Sequence, residues 1–121
     1  MERLVRTGLL YDFYGGLLTE KQQRVMELYF LENWSLAEIA AAEGVSRQAV
    51  HDLLHRSEKM IEGFEEKLGL LDRYSKQQAI LTTIRDQLQV VLNKTTEPSG
   101  LLHRELSQIK EQVLRLIESE N

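Results

Sequence analysis

The chain contains no cysteine and a single proline among its 121 residues. The absence of cysteine excludes disulfide bonds and thiolate metal sites. No apolar run reaches the roughly 18 residues that a membrane-spanning helix needs, so we expect no membrane partner. The N-terminus shows no long apolar run behind positive charge, so we expect no signal peptide and a protein of the cytoplasm.

Positive charge is also scarce. The chain has 15 basic and 19 acidic residues, a net charge of −4, and residues 19–60 alone hold five basic and seven acidic side chains. DNA-binding domains usually carry a basic patch, because neutralised phosphates supply most of the nonspecific affinity. The charge balance therefore favours a protein or ribonucleoprotein partner over bare duplex DNA.

Residues 35–54 follow the pattern of a helix-turn-helix motif. Ser35 with Glu38 three residues later predicts a helix start closed by a capping box. Gly44 suits a turn that needs a positive φ. Ser46 is placed to cap the following helix.

The second helix of this motif is the candidate partner surface. We expect Val50 and Leu53 to pack against the first helix of the motif. In such motifs the second helix enters the DNA major groove with its N-terminal side chains, where arginine can pair with guanine and glutamine with adenine. The predicted nucleic-acid or partner surface consists of Ser46, Arg47, Gln48, His51, Asp52, His55, Arg56 and Lys59.

No residue pattern indicates catalysis. His51 and His55 have the i, i+4 spacing that can hold a metal, but zinc needs three or four ligands and no further ligand is suggested. No glycine-rich phosphate loop is present, and no serine–histidine–aspartate arrangement has an oxyanion site. We therefore expect no catalytic residue, no metal and no cofactor.

Helical periodicity through nearly the whole chain predicts an all-α fold. A first helix is expected over residues 4–14. A second begins after Thr19, with Gln22 at the capping-box position. The second helix of the motif continues to about Leu68 and breaks at Gly69.

Six aromatic residues lie before the motif in the sequence. Aromatic side chains can stack on unpaired RNA bases. The helical positions here nevertheless predict a core role for most of them, with Tyr11 and Trp34 partly exposed. The other four are Phe13, Tyr14, Tyr29 and Phe30.

We predict a helix-turn-helix domain over residues 1–68 and a helical extension over residues 69–121. Two apolar stripes in the extension, separated by a polar loop at residues 95–100, indicate an antiparallel helical hairpin. The stripes close on each other within one chain or pair with a second copy, and their width favours a homodimer. The predicted dimerisation residues are Leu81, Ile84, Leu88, Val91, Leu102, Leu106, Ile109, Val113 and Leu116.

Four stretches of the chain resemble the YlxM family of small bacterial helix-turn-helix proteins. They are LYDFYGGLLTEKQ at residues 10–22, SLAEIA at 35–40, VSRQAVHD at 45–52 and EKLGL at 66–70. The resemblance is strong over residues 4–70 and beyond them rests on helical character. The motif half is also similar to region 4 of sigma factors, which implies a four-helix arrangement.

Two departures from the family pattern bear on the partner surface. Glu43 stands where such motifs usually place an apolar residue, so unless it reaches water it would bring an unpaired charge into the helix crossing. His51 stands where the family commonly has tyrosine and His55 where it commonly has lysine, which weakens any phosphate contact near neutral pH. Ser46, Arg47 and Gln48 match.

The resemblance implies a role in the signal recognition particle pathway, since the family is encoded beside the genes of that particle. Our first hypothesis is a non-enzymatic accessory protein that binds the particle's RNA or its GTPase subunit. The second is a sequence-specific DNA-binding regulator, in which a dimer would place two recognition helices about 34 Å apart on a palindromic site.

Overall fold

The structure of the chain is a computed structural model that describes residues 2–95, 97 and 99–119. These residues form six α-helices and no strand, which confirms the predicted all-α fold. A short 3-10 turn, Gly15–Leu17, follows the first helix, and a π-helical segment, Glu27–Leu31, continues the second. The helices are α1 Arg3–Tyr14, α2 Glu20–Met26, α3 Leu36–Glu43, α4 Arg47–Leu68, α5 Leu70–Lys94 and α6 Leu101–Glu118.

The chain divides into two compact units, Met1–Leu71 and Asp72–Asn121, where the sequence analysis placed a domain boundary after residue 68. The first unit contains the helix-turn-helix motif and the second contains the hairpin. In the part of the chain that the structure describes, no helix is long and apolar enough to cross a lipid bilayer.

The start of α2 has the predicted capping box. The Thr19 hydroxyl accepts a hydrogen bond from the Gln22 backbone N–H, and the Gln22 side chain accepts one from the Thr19 N–H. Two backbone donors that a helix start leaves open are thereby satisfied. The capping box fixes where α2 begins.

The helix-turn-helix motif forms as predicted, with the expected residues at its helix ends. Ser35 and Glu38 form a reciprocal capping box, and the backbone and side-chain hydrogen bonds from Ser35 lower the pKa of Glu38. Gly44 ends α3 with φ of 66°, a left-handed conformation that glycine adopts without steric cost. The Ser46 hydroxyl then accepts the Ala49 N–H at 3.0 Å and caps α4.

The buried face of α4 differs by one position from the prediction. Val50 is buried as expected, whereas Leu53 is only half-buried and Leu54 is buried in its place. Steps of four and three residues keep these positions on one helical face. The inward face consists of Val50, Leu54, Ser57, Ile61 and Glu65.

The aromatic residues are less buried than predicted. Tyr11 and Trp34 are half-buried, which confirms their partial exposure, but among the other four only Tyr14 is fully enclosed. Phe13, Tyr29 and Phe30 are half-buried, so the core assignment was wrong for them. The hydrophobic core of the first unit is formed mainly by aliphatic side chains, including Leu10, Val25, Met26, Ile39 and Ile61.

The second unit is the expected helical hairpin, but α5 begins at Leu70, well before the first residue of its apolar stripe. Its two helices are joined by hydrogen bonds between Lys110 and Gln89 and between Thr95 and His103. The predicted loop at residues 95–100 lies partly outside the described residues, at positions 96 and 98.

Candidate nucleic-acid interface

The predicted partner surface lies on the first half of α4. All eight of its residues, from Ser46 to Lys59, are exposed to solvent. Arg47 occupies the first turn of the helix, and its side chain makes no hydrogen bond or ion pair within the described residues. Its guanidinium is therefore available to a phosphate or to the edge of a guanine base.

An acidic residue lies in the middle of this surface and engages its neighbours. The Gln48 amide donates a hydrogen bond of 2.9 Å to Asp52, and His51 Nδ1 lies 3.4 Å from the same oxygen. These hydrogen bonds, that of Gln48 above all, lower the pKa of Asp52. Asp52 is therefore a negative charge on the surface. The Gln48 amide would have to break its hydrogen bond to Asp52 before it could pair with an adenine.

The charge of Glu43 is compensated, contrary to the expectation of an unpaired charge at the helix crossing. Its carboxylate lies 3.2 Å from the guanidinium of Arg24 on α2, with the Glu43 side chain only 13% exposed. The ion pair links α2 to α3. It also occupies a cation that could otherwise have contacted a phosphate.

A groove of about 490 Å³ runs between α2 and the partner surface of α4. Its walls include the partly exposed apolar side chains of Val45 and Leu53. Lys21 and Arg56 line the same groove and are exposed. The surface thus offers apolar contacts as well as charge.

The opposite side of α4 borders a smaller cavity of about 240 Å³ with aromatic walls. Tyr29 and Phe30 meet edge to face there, with ring centroids 5.0 Å apart. The His51 and His55 rings are parallel within 3°, and their centroids are 6.3 Å apart. Arg3, Leu4, Leu36, Leu54 and Glu58 complete the lining of this cavity, which we call the aromatic pocket.

Sequence reasoning assigned Tyr29 and Phe30 to the core and therefore missed their part in the pocket. Both lie in the π-helical segment, where the Glu32 N–H bonds to the Glu27 carbonyl five residues back. This wider turn changes the direction of the side chains relative to the 3.6-residue period of an α-helix. A search for aromatic residues at the end of a helix could have found them.

No metal site is evident within residues 2–95, 97 and 99–119, where no group of three or more histidine, aspartate or glutamate side chains is suitably clustered. His51 and His55 are close, but no third ligand joins them.

Comparison with known proteins gives consistent matches. The family model UPF0122, described as "Putative helix-turn-helix protein, YlxM / p13 like", matches residues 1–98. A UPF0122 protein of Geobacillus kaustophilus is 43% identical over 109 residues, which cover 90% of this chain and 98% of the relative. Another, from Symbiobacterium thermophilum, is 47% identical over 94 residues, covering 78% and 84% respectively. The similarity extends well beyond residue 70, where the strong sequence resemblance ended.

Proposed function

The chain belongs to the UPF0122 family of YlxM/p13-like helix-turn-helix proteins, and we propose that it is a non-enzymatic accessory protein of the signal recognition particle. In this proposal it binds the particle's RNA, its GTPase subunit, or both, through the first half of α4. The helix-turn-helix family indicates nucleic-acid binding in general terms. The particular pathway rests on the family resemblance noted in the sequence.

The observation that carries the choice of partner is the mixed character of the α4 surface. Arg47 offers one cation at the helix start, but Asp52 places a negative charge among the residues that would face a phosphate backbone. The apolar groove and the aromatic pocket flank this surface. Such a surface suits folded RNA and protein, which present bases, grooves and apolar side chains, better than a uniform duplex.

A sequence-specific DNA-binding regulator is the second candidate. The capped start of α4 and the glycine turn before it reproduce the geometry that inserts a recognition helix into the major groove. Arg47 would be the leading base-reading residue. The negative charge around it is the observation against this function.

A homodimer through the hairpin belongs to the same proposal. Within the described part of the second unit, only Leu92 and Val113 are buried apolar residues, at 8% and 7% exposure. Several predicted dimerisation residues stay exposed in the single chain, namely Ile84, Val91, Leu102, Ile109 and Leu116. A hairpin that buries so little of its own stripe gains stability when a second copy covers it.

The dimer is tested by light scattering at micromolar concentration. Ile109→Lys and Leu116→Lys should give a monomer mass, because each places a charge in the proposed interface. Val90→Lys is the matched control, since Val90 is also exposed but lies outside the predicted stripe. A monomer mass for the unaltered chain, or a dimer mass for both interface variants, would refute the dimer.

The function is tested by measuring binding to the particle's RNA, to its GTPase and to random duplex DNA across a salt series. Tighter binding to the RNA or the GTPase than to the duplex is expected. Arg47→Ala should weaken RNA binding several-fold, whereas Arg73→Ala, an exposed arginine of the second unit, should not. Preference for the duplex with steep salt dependence would support the regulator instead, and no binding to any of the three would overturn both functions.

A further inference from the structure

We propose that the aromatic pocket binds one unpaired base of an RNA. This inference deepens the function proposed above and rests on it, because it names the feature of the RNA that the protein recognises. The pocket borders the partner surface through His51 and His55, which belong to both.

The size of the pocket limits its occupant. Its volume of about 240 Å³ is below the roughly 300–1,000 Å³ of pockets that hold drug-sized ligands. A single planar ring system fits such a space, whereas a peptide helix or a nucleic-acid duplex does not. A base within a duplex shows the protein its edge only, so the ligand must be a base that is unpaired and turned out of the stack.

The walls of the pocket have the chemistry that holds a base. Tyr29 and Phe30 fix each other edge to face, and the parallel His51 and His55 rings provide further planar surfaces. Bases stack on aromatic side chains with little dependence on sequence, because every base has a π-face. Leu54, which is buried beside the pocket, supports the wall from the interior.

The mouth of the pocket carries a charge pair. Arg3 bonds to Glu58 at 3.2 Å, and the Arg3 side chain is 79% exposed whereas that of Glu58 is 16% exposed. Because Glu58 engages Arg3, this arginine adds little positive charge for the phosphate next to a bound base. With Glu58 and Asp52 close by, the local charge is not strongly positive, so stacking is expected to supply most of the affinity.

The probe is the signal recognition particle RNA with 2-aminopurine at each unpaired loop position in turn, and the reference is the same RNA labelled within a stem. Stacking on an aromatic ring quenches 2-aminopurine fluorescence. We expect quenching at one loop position and none in the stem. Phe30→Leu and His51→Ala should each weaken binding of that RNA by about tenfold at every salt concentration, because stacking is uncharged.

Phe13→Leu is the matched control, since Phe13 is also half-buried in the first unit but does not line the pocket. His51 is exposed, so His51→Ala decides the question even if Phe30→Leu does not fold. RNA binding without quenching at any loop position, or with equal effects of Phe13→Leu and the pocket variants, overturns the base-binding pocket and leaves the proposed function standing. Binding to the GTPase alone also overturns the pocket, whereas no binding to RNA or GTPase overturns both proposals.

Discussion

Removing the Tyr14 hydroxyl should destabilise the first unit, because this group joins three helices in the interior. The hydroxyl donates to Glu65 at 2.7 Å and accepts the Leu70 N–H at 3.1 Å. The same Glu65 oxygen accepts the Leu71 N–H at 2.9 Å. Side chains of α1 and α4 thus satisfy backbone donors at the start of α5.

The expected loss in the free energy of unfolding depends on how deeply each partner of the Tyr14 hydroxyl is buried. Tyr14→Phe removes a donor from Glu65, which is buried at 9% exposure, and the loss of one hydrogen-bond partner at a buried polar group costs about 1–3 kcal/mol. The hydrogen bond from the Leu70 N–H is only partly buried, so its removal should add less to the loss. We expect the free energy of unfolding to fall by about 2–3 kcal/mol, a substantial part of the roughly 5–15 kcal/mol of a typical domain.

The assay is urea unfolding at a fixed protein concentration, followed by the fluorescence of Trp34, the one tryptophan of the chain. Tyr11→Phe is the control, because it also deletes one phenol oxygen. The Tyr11 hydroxyl donates to the exposed carboxylate of Glu27 at 3.0 Å, so its loss should cost less than about 1 kcal/mol. Equal losses for the two variants, or independent effects of Tyr14→Phe and Glu65→Gln in a double-mutant cycle, would contradict the reasoning.

Three further predictions concern the turn, the acid stability and the partner surface. Gly44→Ala should destabilise the protein by about 1–2 kcal/mol in urea unfolding, because φ of 66° is strained for alanine. Gly63→Ala lies within α4 and faces open space, so it should stabilise the protein by about 0.5–1 kcal/mol. A Gly44→Ala variant more stable than Gly63→Ala would contradict this account. The hydrogen bond from Arg6 lowers the pKa of Glu62. The ion pair therefore contributes to the free energy of unfolding above pH 4.5, and this contribution is lost as the pH falls through the lowered pKa. Arg6→Gln should raise the pKa of Glu62 in a carbon-13 NMR titration, and an unchanged pKa would show that the ion pair does not form in solution. Asp52→Asn should strengthen RNA binding about two- to fivefold by removing a negative charge, and weaker binding would mean that the carboxylate contacts the partner.

The local features of this fold could be predicted from the sequence because their causes are local. The capping boxes at Thr19 and Ser35 each need two residues three positions apart. Gly44 and Gly69 end α3 and α4 because both adopt a positive φ near 65°. Each feature depends on a few consecutive residues, so no knowledge of the tertiary structure was required.

The features that sequence reasoning missed depend on residues far apart or on an irregular turn. Tyr14 and Glu65 are separated by 51 positions, and no periodicity pairs them. Glu43 finds Arg24 only because α2 crosses the end of α3. Since a pattern of 3.6 residues cannot foresee the π-helical segment, it also could not show that Tyr29 and Phe30 are only half-buried.

Ion pairs within the first unit reduce the number of cations that could contact a nucleic acid. Arg3, Arg6 and Arg24 are engaged by carboxylates of α3 and α4. The cations within residues 2–60 that form no ion pair in the described structure are Lys21, Arg47, Arg56 and Lys59. Binding to duplex DNA loses about 0.9 in log affinity per tenfold salt for each phosphate neutralised, so the four cations of one chain give a slope no steeper than about −4, and two chains of a dimer about twice that. Proteins that hold duplex DNA mainly through its phosphates make about six to ten such contacts, so a single chain would need stacking, apolar contact or a protein partner for tight binding.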